Sequence, residues 1–354
     1  MKVKLAILDQ DKNYLKRLQD VFTVSYFDKL EIYLFSDKET ALSNLKPSRI
    51  DVFLAASDFE INVDNLPKKC NFAYLTEEMN IDSYKNQHAI CKFQKAEMIY
   101  KEILSLYSEK MTDTMNIKFD SAGKTKIIAF VSASGGTGSS TVAAACAKYC
   151  SNMGKKILYL NVEKFGFIET FFSADGTADF SDVIFALKSK KANLPIKIES
   201  CIRQDKSGVF FFQTAKNPID MQELEPDDLA TLVKEINLTG NYDYLIMDAD
   251  FTLDSFSEKV LSLSNLVVMV SDGSQISNAK FIKAYKTLDL YDSQKETSFL
   301  PKIRLMYNKF SSKTGKIIDE DFAASIGGIP RVEQATSEQI IDRMRSTGIF
   351  QQLL

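Results

Sequence analysis

Apolar residues in the first hundred positions fall into short continuous runs, separated by stretches with the spacing of one helix face. Leu5-Ala6-Ile7-Leu8 ends in Asp9-Gln10-Asp11, and Tyr14, Leu15, Leu18 and Phe22 follow at helical intervals. Ile32-Tyr33-Leu34-Phe35, a helix over about residues 38–45, and Val52-Phe53-Leu54-Ala55-Ala56 continue the alternation. Phe72-Ala73-Tyr74-Leu75 then ends in Thr76, and Ala89-Ile90-Cys91 ends in Lys92-Phe93. Five strands alternating with helices predict an open parallel sheet with helices on both faces. Residues 108–125 are polar, poor in aromatics and without sustained period, which reads as a linker. From Lys126 the alternation resumes, with buried-strand patterns at Ile127–Val131, Ile157–Leu160, Tyr244–Met247, Leu266–Val270 and Ile303–Tyr307. Phe210-Phe211-Phe212 reads as a further strand of the core rather than a partner patch. The pattern therefore predicts an α/β chain of two doubly wound domains, residues 1–107 and 126–354, joined by the linker.

The stretch with the most chemical content lies between the strand Ile127–Val131 and a small-residue helix that runs to a stop at Gly154. It reads Ser132-Ala133-Ser134-Gly135-Gly136-Thr137-Gly138-Ser139-Ser140-Thr141. A glycine loop in this setting lets backbone N–H groups close around an anion, and the helix N-terminus adds its partial positive charge. The phosphate-loop pattern G-x-x-x-x-G-K-[ST] fails here at two places. Ala133 stands at the first glycine and Ser139 at the lysine, so a glycine-rich turn without nucleotide remains the alternative. Other strands end in polar groups on the same sheet edge. Tyr244–Met247 delivers Asp248-Ala249-Asp250, and Asp248 can hold Mg2+ through water while the Ser140 hydroxyl ligates it directly. The bland reading of Asp248 is a cap or a lysine partner. Ile157–Leu160 ends in Asn161-Val162-Glu163, where Glu163 also reads as a solvated loop acid. Ile303–Tyr307 ends in Asn308-Lys309, where Asn308 also reads as a turn residue.

Composition narrows the partners. At 354 residues with 45% hydrophobic residues, the chain can bury a core in each of about two domains. A net charge of −3 without a Lys/Arg run argues against nucleic acid as a principal partner. The five cysteines, Cys70, Cys91, Cys146, Cys150 and Cys201, are scattered and lack metal-ligand spacing, which fits reduced thiols. Cys146 and Cys150 share a helix face and are expected to be small core side chains. No 18-residue apolar run occurs, so a soluble cytoplasmic protein is expected. The terminal Ile340, Ile341, Met344, Ile349, Phe350, Leu353 and Leu354 are expected to form a docked helix rather than a membrane-binding one, because Gly348 interrupts them and only Arg343 and Arg345 are basic.

The strand ends of the first domain resemble those of response-regulator receiver domains, which have a flavodoxin-like five-stranded parallel sheet. Asp9 and Asp11 match that family's acidic cluster, Thr76 its hydroxyl after the fourth strand, and Lys92-Phe93 its lysine. Gln10 departs at a second acidic position. Ala56 stands where the phosphorylated aspartate belongs and has no nucleophilic oxygen. Asp58 could replace it only after a register shift, so the domain is expected to be a structural or docking module.

Residues 126–354 resemble the deviant-Walker ATPases that include MinD and ParA, members of the P-loop NTPases. That family's loop reads K-G-G-x-G-K-[ST]-[ST], and Ser134 to Thr141 follow it with both lysines replaced, by Ser134 and Ser139. The resemblance implies that Ser134, Gly135, Gly136, Thr137, Gly138, Ser139, Ser140 and Thr141 cradle ATP. It further assigns Ser140 and Asp248 to Mg2+, Glu163 to orienting water and Asn308 to the adenine edge. Ile329-Pro330 resembles the turn against which the base packs. A degenerate receiver ahead of such a domain is similar to the TadZ/CpaE branch, which places Tad-type pilus secretion machinery. That implies an ATP-binding polar-localisation and assembly protein, dimeric through the second domain, with weak or no hydrolysis. Partners would be the Tad machinery or polar proteins, with membrane association indirect or weak at the inner face of a cell pole. Two rivals are an active MinD-like ATPase cycling on the membrane and an output protein controlled by receiver phosphorylation.

Overall fold

The computed structural model describes residues 2–27, 29–78, 81, 83–110, 125–189, 194–239, 241–295, 297–318 and 322–354. The chain splits into two compact units, Met1–Ile117 with Lys190–Ser200, and Lys118–Ser189 with Cys201–Leu354. Most of the linker expected over 108–125 lies outside the described residues.

In the first unit the elements are β1 (Val3–Leu8), α1 (Lys12–Ser25), β2 (Leu30–Phe35), α2 (Lys38–Leu45), β3 (Val52–Ala56), β4 (Asn71–Thr76), β5 (Ser83–Tyr84), β6 (Gln87–Cys91) and α3 (Ala96–Lys110). Asp11 and Asp37 start α1 and α2 as N-caps, accepting backbone N–H groups that have no partner within the helix. The described residues form a sheet in the order β2-β1-β3-β4-β6-β5. Five strands are parallel, as the apolar runs predict, and β5 pairs antiparallel with β6. Two local features depart from a regular strand and helix alternation. The β3–β4 crossover contains a 3-10 turn at Val63–Asn65, and β5 is a two-residue edge strand too short to leave a run in the sequence. Leu15, Leu18 and Phe22 of α1 pack with Ile99, Ile103 and Leu106 of α3 on one face. Ala41 and Leu45 of α2 pack on the other.

The helix α6 (Leu194–Cys201) is distant in sequence from the rest of this core. Ile196 is buried among the α1 and α3 side chains, Glu199 pairs with Lys29, and Lys197 Nζ donates to Ser105 Oγ at 3.1 Å.

The receiver-like strand ends show what became of the acidic site. Asp9 is buried, and its Oδ1 accepts from Asp11 N at 2.8 Å. Lys92 Nζ lies 2.9 Å from Glu77 Oε1 and 3.7 Å from Asp9 Oδ2. Burial pulls the Lys92 pKa down, but hydrogen bonding to Glu77 and the charges of Asp9, Glu77 and Asp58 leave it raised. Thr76 is buried, with Oγ1 3.4 Å from Glu78 O. β3 ends at the buried Ala56, and Asp58 lies in the turn beyond it. The lysine that would meet a phosphoryl group already has a carboxylate partner, and position 56 offers no oxygen nucleophile. Incubation with acetyl phosphate and Mg2+ is therefore expected to add no phosphoryl mass to residues 1–107. A stoichiometric adduct at Asp58 or Asp9 in intact-mass and peptide spectra would overturn this.

In the second unit the elements are β7 (Lys126–Val131), α4 (Ser139–Asn152), β8 (Ile157–Asn161), α5 (Phe180–Lys188), β9 (Arg203–Gln204), β10 (Phe210–Phe211), α7 (Asp220–Glu223), α8 (Pro226–Thr239), β11 (Tyr244–Asp248), α9 (Ser255–Leu263), β12 (Leu266–Ser271), α10 (Gln275–Lys295), β13 (Ile303–Phe310), β14 (Ser325–Pro330) and α11 (Ser337–Ser346). The sheet order is β14-β13-β12-β7-β11-β8-β10-β9, parallel except for the β9–β10 pair. Strands buried on both faces are continuous apolar runs, as in Ile127–Val131 and Tyr244–Met247. The chain passes from β7 to β8, returns to β11 between them, then crosses to β12 on the other side of β7. That reversal opens a crevice beyond the C-terminal ends of β7 and its neighbours, where ligands of such sheets bind.

Cys146 and Cys150 are buried in α4 with their sulfurs 3.9 Å apart, as small core side chains. Phe211 and Phe212 are buried as well. At the C-terminus Ile341, Met344, Ile349, Phe350 and Leu353 join the α4 core, with Phe350 packing on Tyr149 at 5.8 Å between ring centres. This is the docked arrangement that the sequence favours. Among the described residues, no helix is long and apolar enough to cross a membrane.

Candidate functional site

The glycine loop leaves β7 at Ser132, whose Oγ lies 2.7 Å from Val270 O and receives the Ser134 N–H at 3.2 Å. This ties the loop entrance to β12. Gly136 and Gly138 have φ of +78° and +82°, in the left-handed region that side chains disfavour. At Gly138 space is also lacking, because a Cβ there would stand 2.6 Å from Asn308 Nδ2 and 3.3 Å from Lys309 Cε. Gly138 is the N-cap of α4; among the described residues no side chain caps this helix, and its first turn holds no acid. Its leading N–H groups are thus left for a ligand, and together with the helix dipole they favour an anion.

Two residues of β13 hold the loop from outside. Asn308 is 1% exposed, and its Nδ2 donates to Thr137 O at 2.7 Å. Lys309 is exposed, and its Nζ donates to Gly136 O at 2.8 Å. The Ser139 hydroxyl, at the position of the usual lysine, is buried with no hydrogen-bond partner among the described residues.

The acidic side of the site is built by β8 and β11, which pair without a slip from Tyr244 opposite Ile157 to Asp248 opposite Asn161. That register sets two carboxylates around one amide. Asp248 is fully buried, and its Oδ2 accepts from Tyr159 OH at 2.8 Å and from Asn161 Nδ2 at 3.0 Å. Glu163 Oε2 accepts from the same Asn161 Nδ2 at 3.1 Å, while its Oε1 accepts from Ser140 Oγ at 3.2 Å. Asn161 Oδ1 takes the Glu163 N–H at 3.0 Å, which closes the turn. Gly166 leaves room for this amide, since a Cβ there would stand 2.0 Å from Asn161 Oδ1.

Burial, and then the neighbouring charge of Glu163, hold the Asp248 carboxyl well above the usual carboxylate range, although the Tyr159 and Ser140 hydroxyls pull it back. Burial beside Asp248 likewise pushes the Tyr159 phenol up. Asp248 Oδ1 has no hydrogen-bond partner among the described residues. A buried orphaned oxygen, a second carboxylate and a hydroxyl on one side of the loop fit a divalent cation. No cluster of three or more His, Cys, Asp or Glu that could hold a metal occurs among the described residues. One carboxylate, Asp248, and the Ser140 hydroxyl are a small donor set of the kind Mg2+ takes, its shell otherwise being water and phosphate, with Glu163 beside them on Ser140.

The structure therefore gathers Ser134 to Thr141, Glu163, Asp248 and Asn308 at one sheet edge. Pro330 closes β14 opposite Phe310 and is exposed; among the described residues no hydrogen bond joins it to the loop. Sequence reasoning missed Tyr159 and Asn161 as partners of the acids, and Lys309 as a loop contact. Tyr159 lies inside an apolar run and looks like core. Asn161 and Lys309 stand at strand ends, the one signal that marks them.

Residues 1–108 match the family model described as TadZ-like, receiver domain. None of the curated proteins matches the chain. Among solved structures, a ParA family ATPase from Chlorobium tepidum TLS is similar, with 20% identity, a TM-score of 0.52, and coverage of 65% of this chain and 98% of that one. A plasmid partition protein from Borrelia burgdorferi is similar at 18% identity and a TM-score of 0.50, covering 65% of this chain and 100% of its own. At these identities the likeness establishes the fold. A segment matching a TadZ-like receiver domain is thus followed by an α/β domain whose fold is similar to that of a ParA family ATPase.

Proposed function

We propose that this chain is an ATP-binding polar-localisation and assembly protein for a Tad-type pilus secretion system, dimeric through its second domain and a poor hydrolase. The observation that carries the reading is an uncapped, glycine-led α4 whose Ser140 donates to Glu163 beside Asp248, after a loop whose two lysine positions hold serine. The N–H groups of Gly136 to Ser140 would receive the triphosphate, Ser140 and Asp248 would hold Mg2+, and Glu163 would orient water. When bound, Mg2+ would neutralise charge on the phosphates. Asn161 bonds both acids, and Asn308 holds the Thr137 carbonyl. The Tad assignment rests on the TadZ-like receiver domain and the dimer on the ParA-type fold.

Neither rival gains an observation. The apolar side of α11 packs on α4, which leaves little for a membrane, and Ala56 offers receiver phosphorylation no acceptor.

Calorimetry with Mg·ATP tests the reading. The unaltered chain is expected to bind, and Asn308→Ala to lose about 1 to 3 kcal/mol of affinity, because a buried carbonyl and the adenine edge both lose their partner. Failure of the unaltered chain to bind at millimolar ATP would sink the proposal. Unchanged affinity in the variant would reduce Asn308 to a turn residue.

A further inference from the structure

The nucleotide reading leaves the loop short of charge, since both of its lysine positions are serine and its first helical turn contributes only dipoles. Lys309 stands at this loop under two unfavourable conditions. Its φ is +55°, a left-handed conformation uncommon for a side chain of this length. Its ammonium bonds Gly136 O at 2.8 Å and lies 3.7 Å from where a Gly138 Cβ would be, beside the positive end of the α4 dipole. Helix N-termini favour anions and disfavour cations. A strained backbone that delivers a cation to such a place is explained when an anion shares it.

We propose that Lys309 is a phosphate-binding cation of this loop, supplying from β13 charge that holds the bound phosphates in the absence of lysines at 134 and 139. Asn308 and Lys309 divide the work. The buried Asn308 is a fixed neutral anchor on Thr137, whereas the exposed Lys309 is held by one carbonyl and can turn toward phosphate oxygens. The inference rests on the nucleotide reading above.

The test is calorimetry on the full chain with Mg·ATP and, as a probe without a base, magnesium pyrophosphate. Lys309→Met and Lys309→Gln are expected to lose at least about tenfold in affinity for both probes, and Lys309→Arg to stay within about threefold of the unaltered chain, since a charge is what the site requires. Added salt is expected to weaken binding less in the neutral variants than in the unaltered chain. Pyrophosphate binding by Lys309→Gln equal to that of the unaltered chain would overturn the proposal, because glutamine removes the charge while keeping a hydrogen-bond donor on a stem one bond shorter. Loss by Lys309→Arg as large as by Lys309→Met would also overturn it, pointing to loop geometry. If the unaltered chain binds neither probe, the nucleotide reading itself fails and takes this inference with it.

Discussion

Turnover of Mg·ATP by the unaltered chain is expected to lie near background, and the double change Ser134→Lys with Ser139→Lys to raise it. In phosphoryl transfer, charge builds on the leaving and transferred oxygens, and a cation supplied at that moment is worth about 10³ to 10⁵ in rate in related enzymes. The hydroxyls of Ser134 and Ser139 are neutral, and that of Ser139 is buried without a hydrogen-bond partner among the described residues. Binding does not need lysines at those two positions, because the loop N–H groups, the α4 dipole, a cation on Ser140 and Asp248 and the Lys309 ammonium would together hold the triphosphate. ATP should therefore raise the melting temperature by mass action while phosphate release stays slow. A phosphate-release rate of about one per second in the unaltered chain, within the ordinary range for enzymes, would contradict this. So would a double variant that binds ATP and remains as slow as the parent.

The second large effect is expected at Asp248. Burial, then the charge of Glu163, raises its carboxyl well above the usual range. The fold thus accommodates the protonated acid, and the stability this group contributes is full below its unfolded value of about 3.9 and is lost as pH rises through the folded value. Without a divalent cation, the melting temperature of the unaltered chain should fall with rising pH relative to Asp248→Asn, which is neutral throughout. Mg·ATP favours the ionised acid and should recover the loss in the unaltered chain only. Asp248→Asn should bind Mg·ATP at least about tenfold more weakly, since a carboxylate beside the cation becomes an amide. Melting curves of both proteins across pH, with and without Mg·ATP, provide the measurement. Parallel pH profiles would show that Asp248 is not the group responsible.

The strands were legible because strands buried on both faces must be apolar along their length, and Leu5–Leu8, Val52–Ala56, Ile127–Val131 and Tyr244–Met247 all are. The convergence of the glycine loop, Glu163, Asp248 and Asn308 was legible for a related reason: parallel strands bring their C-terminal ends to one edge. β5 and the 3-10 turn at Val63–Asn65 were not, because two or three residues carry no period. Nor was the place of α6, since an eight-residue amphipathic segment does not state which core it will enter.

By itself the sequence determined which chemistry is absent: no lysine at 134 or 139, and no carboxylate at 56. These are facts of side-chain identity, and no folding can restore a missing group at its own position. Only the tertiary structure decided what stands in for them or surrounds them. It set Glu77 against Lys92, joined Asp248 and Glu163 through Asn161, and brought Lys309 to Gly136. Local periodicity specifies elements one at a time, whereas the strand order β13-β12-β7-β11-β8 determines which distant ends become neighbours. The raised pKa of Asp248 is likewise a property of that neighbourhood, because burial and a second carboxylate exist only once the sheet has formed.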